Sequence, residues 1–517
     1  MTTSFDARHS FTLGEVLQER ARSHPGFPAV ADGDLLLTYP EFDARVERLA
    51  AAFARVGVSV GDRVAWFGQN SFRTLESLLA TARVGAIFCP VNWRQSAQET
   101  AFVIDDLRPA VAIWQQAEVG DMLTQARAES TSADETLWLQ HDSDDGYEAF
   151  ARSGAGEPAS NSAIRFDTPC LAIYTAAFSG RPNAALLTHG GLILQNLVIG
   201  RTHDVSDASV NLNAGPLFHV ATLMLTLATL HHGGLNVFTA RADAPEMCEL
   251  IQRHRVTHAF IPGPTAEAIR AANADHRYDL SSLWTSPDLE DHHTTMVTPH
   301  GTPWDRRPGG YGQTEAIGLT TFRGLGGEST GTTGRSSPAI QIRIVDDAGH
   351  EVGPAEAGEI VMRGPTVMTE YFNRTTENTE RSRDGWHHSN DLGRREADGS
   401  ITFIGPKVAM IKSGAENVYP AEVEDAVRSH PGVADVCVIG IPDDKWVQRV
   451  RAVVVTREGS GVTEGQIIEH CKQRIASYKK PTSVVFVGAL PRTAVGFVDR
   501  AAVDADHGGG GYPGAGA

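Results

Sequence analysis

Short runs of apolar, often β-branched residues alternate with longer helical patterns over most of the chain, and this alternation constrains the fold more than any other feature. Val64-Ala65-Trp66-Phe67 reads as a buried strand, Phe72 to Val84 as an amphipathic helix, and Ala86-Ile87-Phe88-Cys89-Pro90-Val91 as the next strand. Repeated in this order, such pieces build an α/β fold with helices packed on sheet. Near Thr332 the texture changes to strands and turns: Ile342 to Val345, the turn Asp346-Asp347-Ala348-Gly349, then Gly358 to Met362. This predicts a small β subdomain. After Phe403-Ile404-Gly405-Pro406 comes a mixed pattern, helical over 423–428 and 466–475 and extended over 433–439 and 450–456. A chain of 517 residues exceeds what one core supports. The expected division is a large N-terminal domain over 1–404, built of stacked α/β subdomains plus the β subdomain, and a small α+β C-terminal domain over 405–506. A disordered Gly-rich tail over 507–517 completes it.

Charge and cysteine usage narrow the function. With 63 acidic against 45 basic side chains the net charge is −18, which argues against nucleic acid or an anionic membrane as partner. There is no 18-residue apolar run and no signal-peptide pattern at Met1 to Asp6, so a cytoplasmic protein is expected. Cys89, Cys170, Cys248, Cys437 and Cys471 are scattered singly, which suits reduced thiols rather than a disulfide frame or zinc ribbon. Lysine usage says more: Lys407 is the first lysine in the chain. Nothing before it can offer a side-chain ammonium group.

Five segments carry a resemblance. They are Leu37-Thr38-Tyr39 with Gly61-Asp62-Arg63-Val64, Pro216-Leu217-Phe218-His219-Val220, Tyr311-Gly312-Gln313-Thr314-Glu315, Trp386 to Gly393, and Ser413-Gly414-Ala415-Glu416-Asn417-Val418-Tyr419-Pro420. In this order the chain resembles the adenylate-forming superfamily of acyl-CoA synthetases, luciferases and adenylation domains, from end to end. The resemblance implies two-step chemistry: a carboxylate attacks ATP to give an acyl adenylate and pyrophosphate, then the small domain turns and a thiol, usually of coenzyme A, takes the acyl group. ATP, Mg²⁺ and coenzyme A are the implied cosubstrates. Phosphate chemistry needs backbone N–H groups and cations aimed at the developing charge.

By the same resemblance, the phosphate-binding segment is Tyr174 to Ala184. Thr175, Ser179, Gly180 and Arg181 keep its frame, whereas Ala176, Ala177 and Phe178 stand where the family has Ser-Gly-Thr and Asn183 stands at its lysine. Arg181 is the nearest replacement cation. At the hinge, Pro406 replaces the family's arginine and Val408 its polar swivel residue. The C-terminal Pro-Arg-Thr-x-x-Gly-Lys ends here in Phe497, which cannot bridge a carboxylate and a phosphate. The adenine-facing Gly-Gly-Ala-Pro is replaced within Trp284 to His293. Losing one preorganised donor costs about 3 kcal/mol, roughly 10²- to 10³-fold in rate. The losses predict a crippled adenylation step.

What is kept predicts the remaining site. Thr314 and Glu315 match the family's Mg²⁺ and phosphate position, with Glu315 the candidate metal ligand, and Asp391 matches its ribose carboxylate. His219 is the candidate general acid or base. Phe218, Val220, Phe260, Pro262, Tyr311, Gly312 and Ala316 are expected around the acyl group, and Ser413, Gly414, Glu416 and Asn417 on the surface meeting the thiol substrate. Each also has a plain reading: Asp391 as a turn cap, Tyr311 as core. The run Asp288, Glu290, Asp291, His292 and His293 lacks metal-ligand spacing and reads as a solvated loop. His231-His232 and His387-His388 read as surface or packing residues. The expectation is a ligase-fold enzyme whose adenylation site is dismantled and whose acyl pocket serves other chemistry, on a hydrophobic acid or its coenzyme A or carrier-protein thioester. Cyclisation, dehydration, rearrangement and hydrolysis are the reactions considered, and either an apolar substrate body or the Phe178 and Phe497 rings packing together is expected to fill the former triphosphate site. An ATP-dependent acyl or aryl acid:CoA ligase and a non-catalytic acyl-binding pseudoenzyme are the alternatives.

Overall fold

The computed structural model describes residues 11–511 except 144, 155–163, 176–180, 284–295, 298–309, 324, 326–328, 408, 415 and 493–497. Its first sheet has strands in the spatial order Leu137–Gln140, Val111–Trp114, Arg63–Phe67, Ile87–Val91, Pro169–Thr175 and Asn183–Thr188. All pairings are parallel except the last, where Pro169–Thr175 and Asn183–Thr188 form a hairpin. Ile87–Val91 is buried at every position, as its continuous apolar run requires of a strand covered on both faces.

A second sheet is parallel through Pro28–Asp32, Leu235–Phe238, Val210–Asn213 and His258–Phe260, with antiparallel strands at each edge. One hydrophobic core joins the two sheets. It holds Val30 and Phe238 from the second, Val64, Phe88 and Leu171 from the first, and Leu17, Phe42, Phe53, Leu78 and Leu227 from helices between them. Each such side chain contributes about 1.5–3 kcal/mol on burial.

The Phe72–Val84 helix differs from its amphipathic reading. Ser71 caps its start, Gly85 ends it with φ 78°, and twelve of its residues are buried, including Glu76 and Arg83. The charges are neutralised internally: Glu76 takes Arg45 at 2.7 Å, and Arg83 pairs with Asp43 and Glu47. An enclosed helix can carry such residues only because each has a partner.

The strand-rich part is an antiparallel sheet of Gln341–Val345, Ala357–Arg363, Trp386–Arg395, Ser382–Arg383 and Ile401–Pro406. Its last strand pairs Asp391 with Pro406, so the expected boundary at 405 falls inside a strand. The small domain packs the helices Pro420–Arg428 and Glu464–Lys472 on a sheet of Glu416–Val418, Ile411–Ser413, Val447–Thr456, Val433–Asp443 and Ser483–Phe486. Residues 507–511 of the expected tail are bonded to the small domain. His507 O accepts from Arg451 at 2.7 Å, Gly510 N donates to Gly440 O at 3.1 Å and Gly511 O accepts from Gln448 Nε2 at 2.5 Å, so the chain adheres to the small domain as far as 511. Among the described residues no helix is long and apolar enough to cross a membrane.

Candidate active site at the domain junction

Two loops leave the carboxyl ends of the adjacent strands Arg63–Phe67 and Ile87–Val91, where the strand order reverses and an open α/β sheet offers a crevice. From the first, Asn70 Nδ2 donates to Gly215 O at 2.7 Å and its Oδ1 accepts from Leu217 N at 3.1 Å, fixing the segment that leads to His219. From the second comes Arg94. Its guanidinium lies 5.1 Å from the Phe218 ring centroid and 5.4 Å from that of Tyr478, and it pairs with Glu416 of the small domain.

His219 is the N-cap of the Val220–His232 helix, yet its side chain makes no capping bond. Its Nε2 instead lies 3.1 Å from Glu416 Oε1. The ring keeps 38% of its side-chain surface exposed, whereas Glu416 keeps 13%. Burial pushes the Glu416 carboxyl up, but His219 and Arg94 outweigh it and bring it down to about 2. Glu416 sits in a tight hairpin through Gly414, whose φ is 60° and whose added Cβ would stand 3.1 Å from the Trp446 ring. Glycine meets both demands without strain. Ser413 pairs with Glu416 across that hairpin, and the exposed Asn417 accepts from Lys412 Nζ at 2.8 Å.

On the other side, Tyr311 donates to Asp391 Oδ2 at 2.7 Å and stacks on Phe403 at 5.3 Å. Burial raises the Asp391 carboxyl to about 7, against the opposing pull of the Tyr311 hydrogen bond. Asn390 precedes it at φ 57°, a conformation that Asn tolerates. Glu315 is buried and accepts from Tyr371 at 2.7 Å. Two residues on, Ile317 has φ 57°, strained for a β-branched residue. The half-buried Thr314 accepts from Ile317 N through its carbonyl. No cluster of three or more His, Cys, Asp or Glu that could hold a metal occurs among the described residues. The lone Glu315 carboxylate fits a Mg²⁺ that keeps its waters and binds substrate phosphates, where the ion would neutralise developing charge.

The expected acyl wall is only partly assembled. Phe260 approaches Gly215, where an added Cβ would lie 3.2 Å from its ring, and Val220 lies beside Gly318 and Met224. Phe218 is buried against His219, and Pro262 is half-buried ahead of the Gly263–Ala272 helix. Ala316 has no exposed surface and packs with Ile340 and Ile342 in the strand-rich core, so it lines no pocket. Gly312 answers a backbone need instead: its added Cβ would stand 2.1 Å from Gly318 O across their hairpin.

At the phosphate side, Thr175 pairs with Asn183. Asn183 is buried and accepts from Arg374 Nε at 2.9 Å, while both Nη atoms of Arg374 bond Asp106 at 2.8 and 3.0 Å. Tyr174 also donates to Asp106, at 2.8 Å. The exposed Arg181 lies over the Phe102 ring at 5.4 Å. Ala176, Ala177, Phe178, Ser179, Gly180, Val408, Phe497 and the run Asp288 to His293 lie outside the described residues. Pro406 is paired beside Asp391, and Lys407 bonds Asp347 at 2.9 Å and Glu359 at 3.4 Å.

Sequence reasoning missed Arg94, Asp106 and Arg374, whose partners are hundreds of positions away. His387 and His388 are buried, which settles their reading as packing; His388 Nδ1 lies 3.3 Å from Glu359. His231 and His232 are half-buried, with His232 against Gly200.

The family description "AMP-binding enzyme" matches residues 17–372, and that of the AMP-binding enzyme C-terminal domain matches 422–496. The chain belongs to the AMP-binding enzyme family. A feruloyl-CoA synthase of an Amycolatopsis species is 34% identical over 494 residues, covering 94% of this chain and 96% of that relative. An indoleacetate–CoA ligase of Aromatoleum aromaticum is 34% identical over 502 residues, with the same coverage of each chain. Among solved structures, a double mutant of the o-succinylbenzoate CoA synthetase of Bacillus subtilis, bound with a product analogue, superposes with a TM-score of 0.79 at 24% identity and covers 94% of this chain and 97% of its own. For the AMP-binding fold this is the expected two-domain architecture.

Proposed function

We propose that this enzyme transfers a hydrophobic, aromatic acyl group from a preformed activated donor, an acyl adenylate or acyl thioester, to a thiol at the domain junction, without running the family's ATP-dependent first step. The observation that carries the reading is the contact of Glu416, from the small domain, with both His219 and Arg94 of the large one. With Nε2–H donating to Glu416, the ring keeps its lone pair on Nδ1. As the sulfur–carbon bond forms, that nitrogen takes the thiol proton, and the bond from the carbonyl carbon to the donor's leaving group breaks. Glu416 stabilises the resulting imidazolium, as a carboxylate paired with a catalytic histidine does. Phe218, Val220 and Phe260 support an apolar acyl body, and the feruloyl-CoA synthase and indoleacetate–CoA ligase among the relatives support an aromatic one.

The phosphate side supports the loss of adenylation. Asn183, at the position of the family's lysine, is engaged by an arginine that Asp106 already neutralises. A second reading, an ATP-dependent aryl acid:CoA ligase, is favoured by the Tyr311–Asp391 bond and the buried Glu315. Two assays on the purified chain decide. Coenzyme A with synthetic feruloyl adenylate is expected to yield thioester, whereas ferulate with ATP, Mg²⁺ and coenzyme A is expected to release no pyrophosphate. Substrate-dependent pyrophosphate release replaces the proposal with the ligase reading. Failure of both assays over a panel of aromatic and aliphatic acyl donors leaves the non-catalytic alternative.

A further inference from the structure

We infer that Lys479 is a positioning residue that seats Glu416 on His219, an inference resting on the acyl-transfer reading above. Lys479 Nζ lies 2.8 Å from Glu99 Oε1 of the large domain and 2.6 Å from Glu422 Oε1 of the small one, and the residue is only 6% exposed. Chain continuity gives this triad its meaning. Glu99 follows Arg94 by five positions and Glu422 follows Glu416 by six. The two segments that meet through Arg94 and Glu416 are therefore gripped a second time by one ammonium group.

Each grip is itself fixed. Glu99 Oε2 accepts from Ser96 N at 2.8 Å in a capping box, which leaves Oε1 aimed at Lys479. Ser96 Oγ donates to Arg474 O at 2.8 Å, and Asn92 Nδ2 to the Tyr478 hydroxyl at 3.3 Å, so the residues before Lys479 are tied to the same loop. Burial alone would discharge the lysine, but Glu99 and Glu422 outweigh it and raise its pKa, keeping it cationic. Glu422 Oε2 has no hydrogen-bond partner among the described residues. Removing Lys479 leaves two carboxylates enclosed without a cation, which drives the segments apart.

The test measures seating and catalysis separately in the full chain. Spin labels at Glu118→Cys on the Gln116–Glu129 helix and at Ser460→Cys in the small domain occupy exposed positions, and the five native cysteines are buried. Pulsed dipolar distances are expected to be narrow in the parent, broadened in Lys479→Met and narrow again in Lys479→Arg. Should Lys479→Met fail to fold, as judged by circular dichroism, the triple variant Glu99→Gln, Glu422→Gln, Lys479→Met removes the enclosed charges and is expected to show the same broadening. Turnover of feruloyl adenylate with coenzyme A is expected to fall by roughly 10²-fold in kcat, the size of effect an ångström of misplacement produces, with KM for the adenylate unchanged. A narrow distance distribution in the folded triple variant overturns the inference whatever the turnover. If the parent transfers no acyl group, the function reading fails, and the distances still decide the role of Lys479.

Discussion

His219 and Glu416 stand 197 positions apart in the chain and 3.1 Å apart in space, one on each domain. A base assembled from two domains is complete only when they meet. His219→Ala is therefore expected to lower acyl transfer from feruloyl adenylate by about 10²- to 10⁴-fold, the usual worth of a general base. Glu416→Gln, which keeps the shape but loses the charge that stabilises the imidazolium, is expected to lower the rate as well, by up to about 10⁴-fold. Steady-state kinetics of both variants checks this, and an unchanged rate in His219→Ala would sink the assignment.

The same carboxylate makes docking of the small domain acid-sensitive in a defined window. Its pKa is depressed from an ordinary 4.5 to about 2, so its contribution to stability is complete above the unfolded value. That contribution is lost as pH falls from about 4.5 towards 2. Glu416→Gln is expected to flatten this limb of a thermal-stability profile and leave the profile near pH 7 parallel to the parent.

Asp391 behaves with the opposite sign. Its pKa is raised from 3.8 to about 7 by burial, so the ligand-free protein loses stability as pH rises from about 4 through 7 and then levels off. Asp391→Asn removes this cost. Melting curves are expected to show the variant level with the parent near pH 4 and about 2–4 °C higher at pH 8.

Restoring the family's lysine at Asn183 is expected to fail. The introduced ammonium would replace the oxygen that accepts from Arg374 Nε at 2.9 Å, placing two cations together in a buried site. Asn183→Lys should therefore lower stability by about 2 kcal/mol without conferring pyrophosphate release. Denaturant titration and a phosphate-release assay read the two halves. A gain of release would show that the rest of the adenylation site is intact and that Asn183 alone silences it.

Gly414→Ala tests the hairpin that presents Glu416. With φ 60° and the Trp446 ring 3.1 Å from the added methyl, the change is expected to cost about 1 kcal/mol or more. Acyl transfer should fall further than that local loss implies. A stable variant with full activity would show that the hairpin tolerates movement.

The fold is legible in the sequence because its cues are local. Continuous apolar strands, Ser71 and Gly85 bracketing a helix, and the ordered motif segments all lie within short windows. The Phe72–Val84 helix reads as amphipathic because Glu76 and Arg83 mark a polar face only until Arg45, Asp43 and Glu47 are seen to meet them. Tyr311, Glu315, Asp391 and His219 are named by their motifs, but the motifs say nothing of their partners, Asp391 for Tyr311, Tyr371 for Glu315 and Glu416 for His219. Arg94, Glu99 and Arg374 are invisible. An arginine in an unremarkable loop reveals nothing until Glu416, 322 positions on, is folded against it. Ala316 shows the converse: it stands beside Glu315 in the sequence, yet its side chain is fully buried in the strand-rich core.

All the lysines of the chain lie at or beyond Lys407, and Lys479 is enclosed at the junction. An amine-selective footprint therefore sees no side chain of the large domain before that point, and one of its marks appears only when the junction parts. The rate at which Lys479 becomes labelled is a clock for domain opening, written into the chain by where its lysines are.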